Sequence, residues 1–163
     1  MANLILWRHA EAEMESLTGE DVDRALTKRG RKDAAKMAAW LAGHLPENTE
    51  ILCSPARRCL ETVATLQQFN TAKAKRDVKV AAYLGVDSSV SAIAKQVCND
   101  DVDKTILIVG HQPNLGLLIT RLIGIQAGAC SVKKGAVWWI RQRHLFSGSA
   151  PQTYLFAVQQ PNY

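Results

Sequence analysis

The chain has 163 residues, with 20 Lys+Arg against 15 Asp+Glu and a formal net charge of +5. That length suits a single domain over residues 1–163, and a 47% hydrophobic content supplies a packed core and argues against disorder. No run of about 18 apolar residues is present, and the opening residues lack the layout of an export signal, so neither a membrane span nor secretion is expected.

Leu4 to Trp7 is an apolar run that predicts a buried first strand. A polar loop from Glu11 to Arg24 follows. Thr27 then predicts an N-cap for a helix over 28–45, where Ala34, Ala35, Met37, Ala38, Leu41 and Leu45 recur at helical spacing and Pro46 closes the segment. Glu50 to Cys53 predicts a second strand. Ser54-Pro55 reads as the N-cap and first-turn proline of a helix reaching about Phe69.

Val78 to Leu84 predicts an extended edge segment, and Asp87 or Ser88 a cap for a helix through Val97. Thr105 to Val109 is the strongest strand, apolar and mostly β-branched. Gly110-His111-Gln112-Pro113 interrupts it before a helix over Asn114 to Ile123. Val137 to Arg141 and Tyr154 to Val158 predict an antiparallel hairpin. The order strand, helix, strand, helix, strand, helix predicts an α/β fold with helices on both faces of the sheet.

Four cysteines (Cys53, Cys59, Cys98 and Cys130) lack C-x-x-C spacing. They read as reduced thiols of a cytoplasmic protein, and no metal or cofactor is expected. The basic excess favours an anionic partner only weakly. Lys28-Arg29-Gly30-Arg31-Lys32, the densest cluster, reads as a solvated helix start and not as a nucleic-acid strip. Lys133-Lys134 reads as turn charge, and His44 and His144 as surface residues. One of Trp138 and Trp139 should face the core.

Three polar motifs directly follow strands: Arg8-His9, Ser54-Pro55-Ala56-Arg57-Arg58, and Gly110-His111-Gln112-Pro113. Sites of open α/β sheets form beyond the carboxyl ends of strands, so parallel neighbours would place all three on one rim. Guanidinium forks bind phosphate oxygens, a neutral imidazole can attack phosphorus, and a second imidazole can stabilise developing charge. Each motif alone is common. Their joint placement is what points to phosphoryl chemistry.

The motifs Arg8-His9-Ala10, Ser54-Pro55-x-x-Arg58-x-x-x-Thr62 and Gly110-His111-x-Pro113 resemble those of the histidine phosphatase superfamily, also called phosphoglycerate-mutase-like. The resemblance implies a three-layer α/β/α sandwich, its central sheet mostly parallel with a C-terminal antiparallel hairpin. It also implies a phosphorylated His9, with Arg8 and Arg58 on the phosphoryl oxygens and His111 across the pocket. Thr62 is expected to pack or orient, and Ser54 to touch phosphate. The short chain, Arg8-His9-Ala10-Glu11-Ala12 and Arg24-Ala25-Leu26-Thr27-x-x-Gly30 resemble the SixA-type phosphohistidine phosphatases, in which Arg24 would approach the phosphate. Ala25 stands where that pattern has proline.

Many ester-hydrolysing relatives place a glutamate before the third motif. Here Ala81 to Asp87 has none, and Asp87, Glu11 and Glu13 are the remaining candidate acids. An imidazole leaving group has a reference pKa of about 6.5 and needs a dedicated acid less than an alkoxide does. That favours a phosphohistidine substrate over an ester, and the SixA-type resemblance implies that it is carried by a signalling protein; a monomer is the default expectation. A small-molecule phosphatase and a non-catalytic phosphate-recognition module are the alternatives. The chain is short for the enclosing lid a mutase needs.

Overall fold

The computed structural model describes residues 3–72, 74–98, 103–126, 128–143, 146, 148 and 150–162. Its strands are β1 (Asn3–Arg8), β2 (Glu50–Cys53), β3 (Val78–Val80), β4 (Thr105–Gly110), β5 (Val137–Arg143) and β6 (Gln152–Gln159). Its helices are α1 (Lys28–Ala42), α2 (Arg57–Gln67), α3 (Val90–Val97) and α4 (Asn114–Ile123). One six-stranded sheet runs in the order β3-β2-β4-β1-β5-β6. The β3-β2-β4-β1 half is parallel, and β5 and β6 add an antiparallel hairpin.

Alternation along the central strands builds two apolar layers. Leu4, Leu6, Ile106 and Ile108 face α3 and α4 through Ile93, Val97, Leu118 and Ile119. Ile5, Trp7, Leu107 and Val109 face α1 and α2 through Met37, Leu41, Val63 and Leu66. Both faces of β1 are therefore covered, which is why its sequence is apolar without a break. Full burial of Leu4, Ile5 and Leu6 stabilises by roughly 1.5–3 kcal/mol each. This is the three-layer sandwich expected from the element order.

Several local expectations need correction. The second helix starts at Arg57 with Ala56 as its N-cap, and the Ser54 hydroxyl, two residues earlier, meets Ala56 N–H and His111 Nε2 rather than a helical N–H. Ser89, rather than Asp87 or Ser88, caps α3 by accepting from Ala92 N–H at 3.1 Å. The Val78 to Leu84 segment pairs as a strand only to Val80, and Ala82–Leu84 curls into a 3-10 turn. The first helix ends at Ala42, not Leu45. Two others hold: Trp139 is the buried member of its adjacent pair, packed edge-on against Trp40 and Phe156. His44 is exposed and stacks on Trp40. His144 lies outside the described residues.

The Thr27 cap is as expected: its Oγ1 accepts from Gly30 N–H at 2.9 Å. Gly30 itself is buried, and a Cβ there would collide with the Glu11 carbonyl oxygen. Only glycine lets α1 start directly beneath the loop that follows β1. Gly30→Ala is expected to cost about 3 kcal/mol, the upper end of ordinary overpacking. For a chain of this size that lowers Tm by about 6–12 °C in a thermal melt. A Tm within two degrees of wild type would show that the loop yields freely.

Candidate active site

The sheet register sets the site. Arg8 of β1 pairs with Gly110 of β4, and Val109 of β4 pairs with Cys53 of β2. The next residues, His9, His111 and Ser54, leave the sheet at one level on one rim. The ladder extends through them: His9 N–H donates to Gly110 O at 3.2 Å and Ser54 N–H to Val109 O at 3.0 Å.

His9 is buried, with 8% of its surface exposed. Its Nδ1–H donates to Ala10 O at 2.8 Å. That bond fixes the tautomer and leaves the lone pair on Nε2. Burial is the main force pushing its pKa down to about 3, with a smaller lowering from His111, Arg58 and Arg8. Its backbone is held as well. Gly135, at a φ of +77° in a left-handed turn, donates its N–H to His9 O at 3.1 Å. Ala10 N–H donates to Thr62 Oγ1 at 3.1 Å, and that hydroxyl donates to Arg58 O at 2.7 Å. Thr62 thus orients, tying the loop after β1 to α2.

The rings of His9 and His111 have centres 5.3 Å apart. His111 Nε2 lies 2.8 Å from Ser54 Oγ, which accepts from Ala56 N–H at 3.3 Å. Which of Ser54 Oγ and Nε2 donates depends on the ring's tautomer; with Ser54 donating, the ring hydrogen is on Nδ1. That buried nitrogen has no partner among the described residues. Burial first, then Arg58, lowers the His111 pKa to about 4. Ser54, expected to touch phosphate, has its hydroxyl on His111, so its contribution here is to orient that ring.

Arg8 is partly buried. Its Nη1 donates to Val132 O at 2.9 Å, and its buried Nε has no partner among the described residues. The Arg58 side chain is 4% exposed and gives both ends of its fork to Asp21: Nη1 to the backbone oxygen at 2.9 Å, Nη2 to Oδ2 at 3.0 Å. Arg24 reaches the same carboxylate through Nη1 to Oδ1 at 2.8 Å and donates from Nε to Glu13 O at 2.6 Å. The motif arginines and both histidines are thus gathered. Arg24 joins them through Asp21, which belongs to none of the three motifs. Its one legible signal was a carboxylate three positions before Arg24.

Of the three candidate acids, Glu11 is not a solvated charge. Its Oε1 accepts from Thr27 Oγ1 at 2.9 Å and completes the α1 cap. Glu13 is exposed and supplies its backbone oxygen to Arg24. Asp87 lines a cavity of about 420 Å³ with Asp21, Val22, Ser54, Pro55 and Ala82. Among the described residues, no cluster of three or more His, Cys, Asp or Glu side chains could hold a metal.

Both histidine shifts carry a consequence for stability. An unfolded histidine protonates near 6.5, whereas the folded pair stays neutral until about 4 and about 3. The unfolded state therefore binds more protons in that window, and stability falls as pH falls below 6.5. The expected slope is about 1.4 kcal/mol per pH unit for each histidine. Urea unfolding in phosphate-free buffer at stepped pH measures it, and His9→Asn with His111→Asn should flatten the curve. An unchanged slope in that double variant would refute the assignment.

A parallel-sheet rim that gathers two neutral histidines and several arginines defines an enzyme site for phosphoryl groups. The profile of the histidine phosphatase superfamily (branch 1) matches residues 4–80. An uncharacterised protein of Mycobacterium tuberculosis is 30% identical over 112 residues, covering 69% of this chain and 67% of its own. The phosphohistidine phosphatase SixA homolog of Haemophilus influenzae is 29% identical over 131 residues, covering 75% and 77%. The solved structure of the protein histidine phosphatase SixA complexed with tungstate shares the fold, with a TM-score of 0.78 at 20% identity over 98% of this chain and 97% of that one. The chain belongs to the histidine phosphatase superfamily, and it is a phosphatase.

Proposed function

We propose that the chain is a phosphohistidine phosphatase that works through a covalent phospho-His9 intermediate. The observation that carries this is the His9 Nδ1–H bond to Ala10 O, which keeps Nε2 unprotonated and aims its lone pair. In the first step Nε2 attacks phosphorus, the P–N bond to the substrate imidazole breaks, and that imidazole takes its proton from solvent. The Ala10 carbonyl then stabilises the charge on the phosphorylated ring. Arg8 and Arg58, with Arg24 beside them, neutralise the phosphoryl oxygens. The unpartnered Nδ1–H of His111 donates to one of them. In the second step water attacks phosphorus, the P–Nε2 bond breaks, and inorganic phosphate leaves with His9 neutral again.

The SixA names among the relatives and the absence of a glutamate from residues 81–87 support an N–P substrate. The partner is then a phosphorylated histidine-containing phosphotransfer protein. One placement favours a second reading: Asp87 at the cavity wall could protonate the alkoxide of a small phosphate ester. A dephosphorylation panel decides between them, comparing a phosphohistidine protein with small phosphate esters. Faster turnover of the phosphohistidine protein is expected. Equal or faster ester turnover, lost by about 10² in Asp87→Asn, would establish the second reading instead.

A further inference from the structure

Asp21 makes two hydrogen-bonded ion pairs at the mouth of the site. Its Oδ1 receives Arg24 and its Oδ2 receives Arg58, while its backbone oxygen receives the other end of the Arg58 fork. The two arginines come from different places, one from the loop before α1 and one from the first turn of α2. We propose that Asp21 is a positioning residue, one carboxylate that locks both guanidiniums into a single phosphate-binding unit, which rests on reading Arg24 and Arg58 as phosphate ligands.

A carboxylate between two arginines could instead be a resident anion that phosphate must displace. Three observations favour positioning. Arg58 is held partly through the Asp21 backbone, which cannot leave unless the loop moves. That loop is braced from within: Ser16 Oγ donates to Glu20 O at 2.7 Å, Thr18 Oγ1 to Asp23, and Arg24 N–H to Asp21 O at 3.1 Å. Each guanidinium also has N–H groups beyond those given to Asp21. Phosphate can take these while Asp21 holds the far side, as outer partners do for the ligands of other charged sites. Hydrogen bonds from Arg24 first and then Arg58 hold the Asp21 carboxyl below the usual carboxylate pKa range, consistent with a carboxylate that stays ionised as phosphate arrives.

The test is titration of the full chain with inorganic phosphate, followed by calorimetry, with steady-state kinetics on the preferred substrate of the panel. Asp21→Asn is expected to weaken phosphate binding about tenfold, the worth of one charge-assisted hydrogen bond. KM should rise by a similar factor, more than kcat falls, and Tm should move little. Asp21→Glu should recover most of the binding, which a merely structural contact would not predict. Tighter phosphate binding in Asp21→Asn would overturn the proposal and make Asp21 a competitor, and unchanged binding would overturn it as well. Arg58→Ala separates the two levels of the argument. If it too leaves phosphate binding intact, the reading of the phosphate site fails. If it abolishes binding while Asp21→Asn leaves binding unchanged, only the positioning role fails.

Discussion

His9→Ala is expected to lower turnover on the order of 10⁵, the scale seen when a covalent nucleophile is deleted. The expectation follows from what no other group here can replace. His111 is a second neutral imidazole with its ring centre only 5.3 Å away, but its Nε2 is engaged by Ser54 and its ring does not share the Ala10 bond. Cys59 is also near, with Sγ 3.6 Å from His111 Nε2. Burial pushes its thiol up to about 12, so the thiolate is scarce at neutral pH. Incubation with a phosphodonor followed by intact-protein mass spectrometry should add one phosphoryl group to wild type and none to His9→Ala. Labelling of the variant would move the nucleophile elsewhere. Phosphate binding without labelling of wild type would identify a recognition module.

The parts of this site that the sequence displays are those attached to regular structure. His9, Ser54 and His111 each stand one residue past an apolar strand, so their convergence needed only parallel neighbours, and the β2-β4-β1 order supplies them. Arg58 and Thr62 lie one helical turn apart on α2, and their shared hydrogen bond follows from that spacing. The misread parts depend on long-range contacts. Ser-Pro before a helix usually marks a helix cap; the Ser54 hydroxyl does accept from Ala56 N–H, but its second partner is a histidine 57 positions away that no local pattern announces. Glu11 stands among the candidate acids in the sequence because the helix cap that claims it lies 16 residues ahead. Asp21 opens a single 3-10 turn, too short to carry a periodic signal, and its partner Arg58 is 37 residues distant. Gly30 is the reverse case. Its place in the Thr27-x-x-Gly30 motif was visible, but the reason for it, the Glu11 carbonyl against the helix, appears only in three dimensions.

Arg58→Ala is expected to reduce kcat/KM on the order of 10³, and not only by removing a phosphate donor. The lost fork is bidentate and planar, so Arg58→Lys, which keeps the charge but not the geometry, should recover little. The variant also leaves the Asp21 carboxylate without its buried partner, facing an incoming dianion. That added repulsion predicts non-additivity: Arg58→Ala with Asp21→Asn should be more active than Arg58→Ala alone. A third effect concerns pH. Arg58 is among the groups that lower both His9 and His111, after burial in each case. Its removal lets both pKa values rise, so the acid limb of the activity profile should move to higher pH. A profile with an unmoved acid limb would mean that burial alone keeps the histidines neutral. A double variant no better than the single would mean that Asp21 turns away once its arginine is gone.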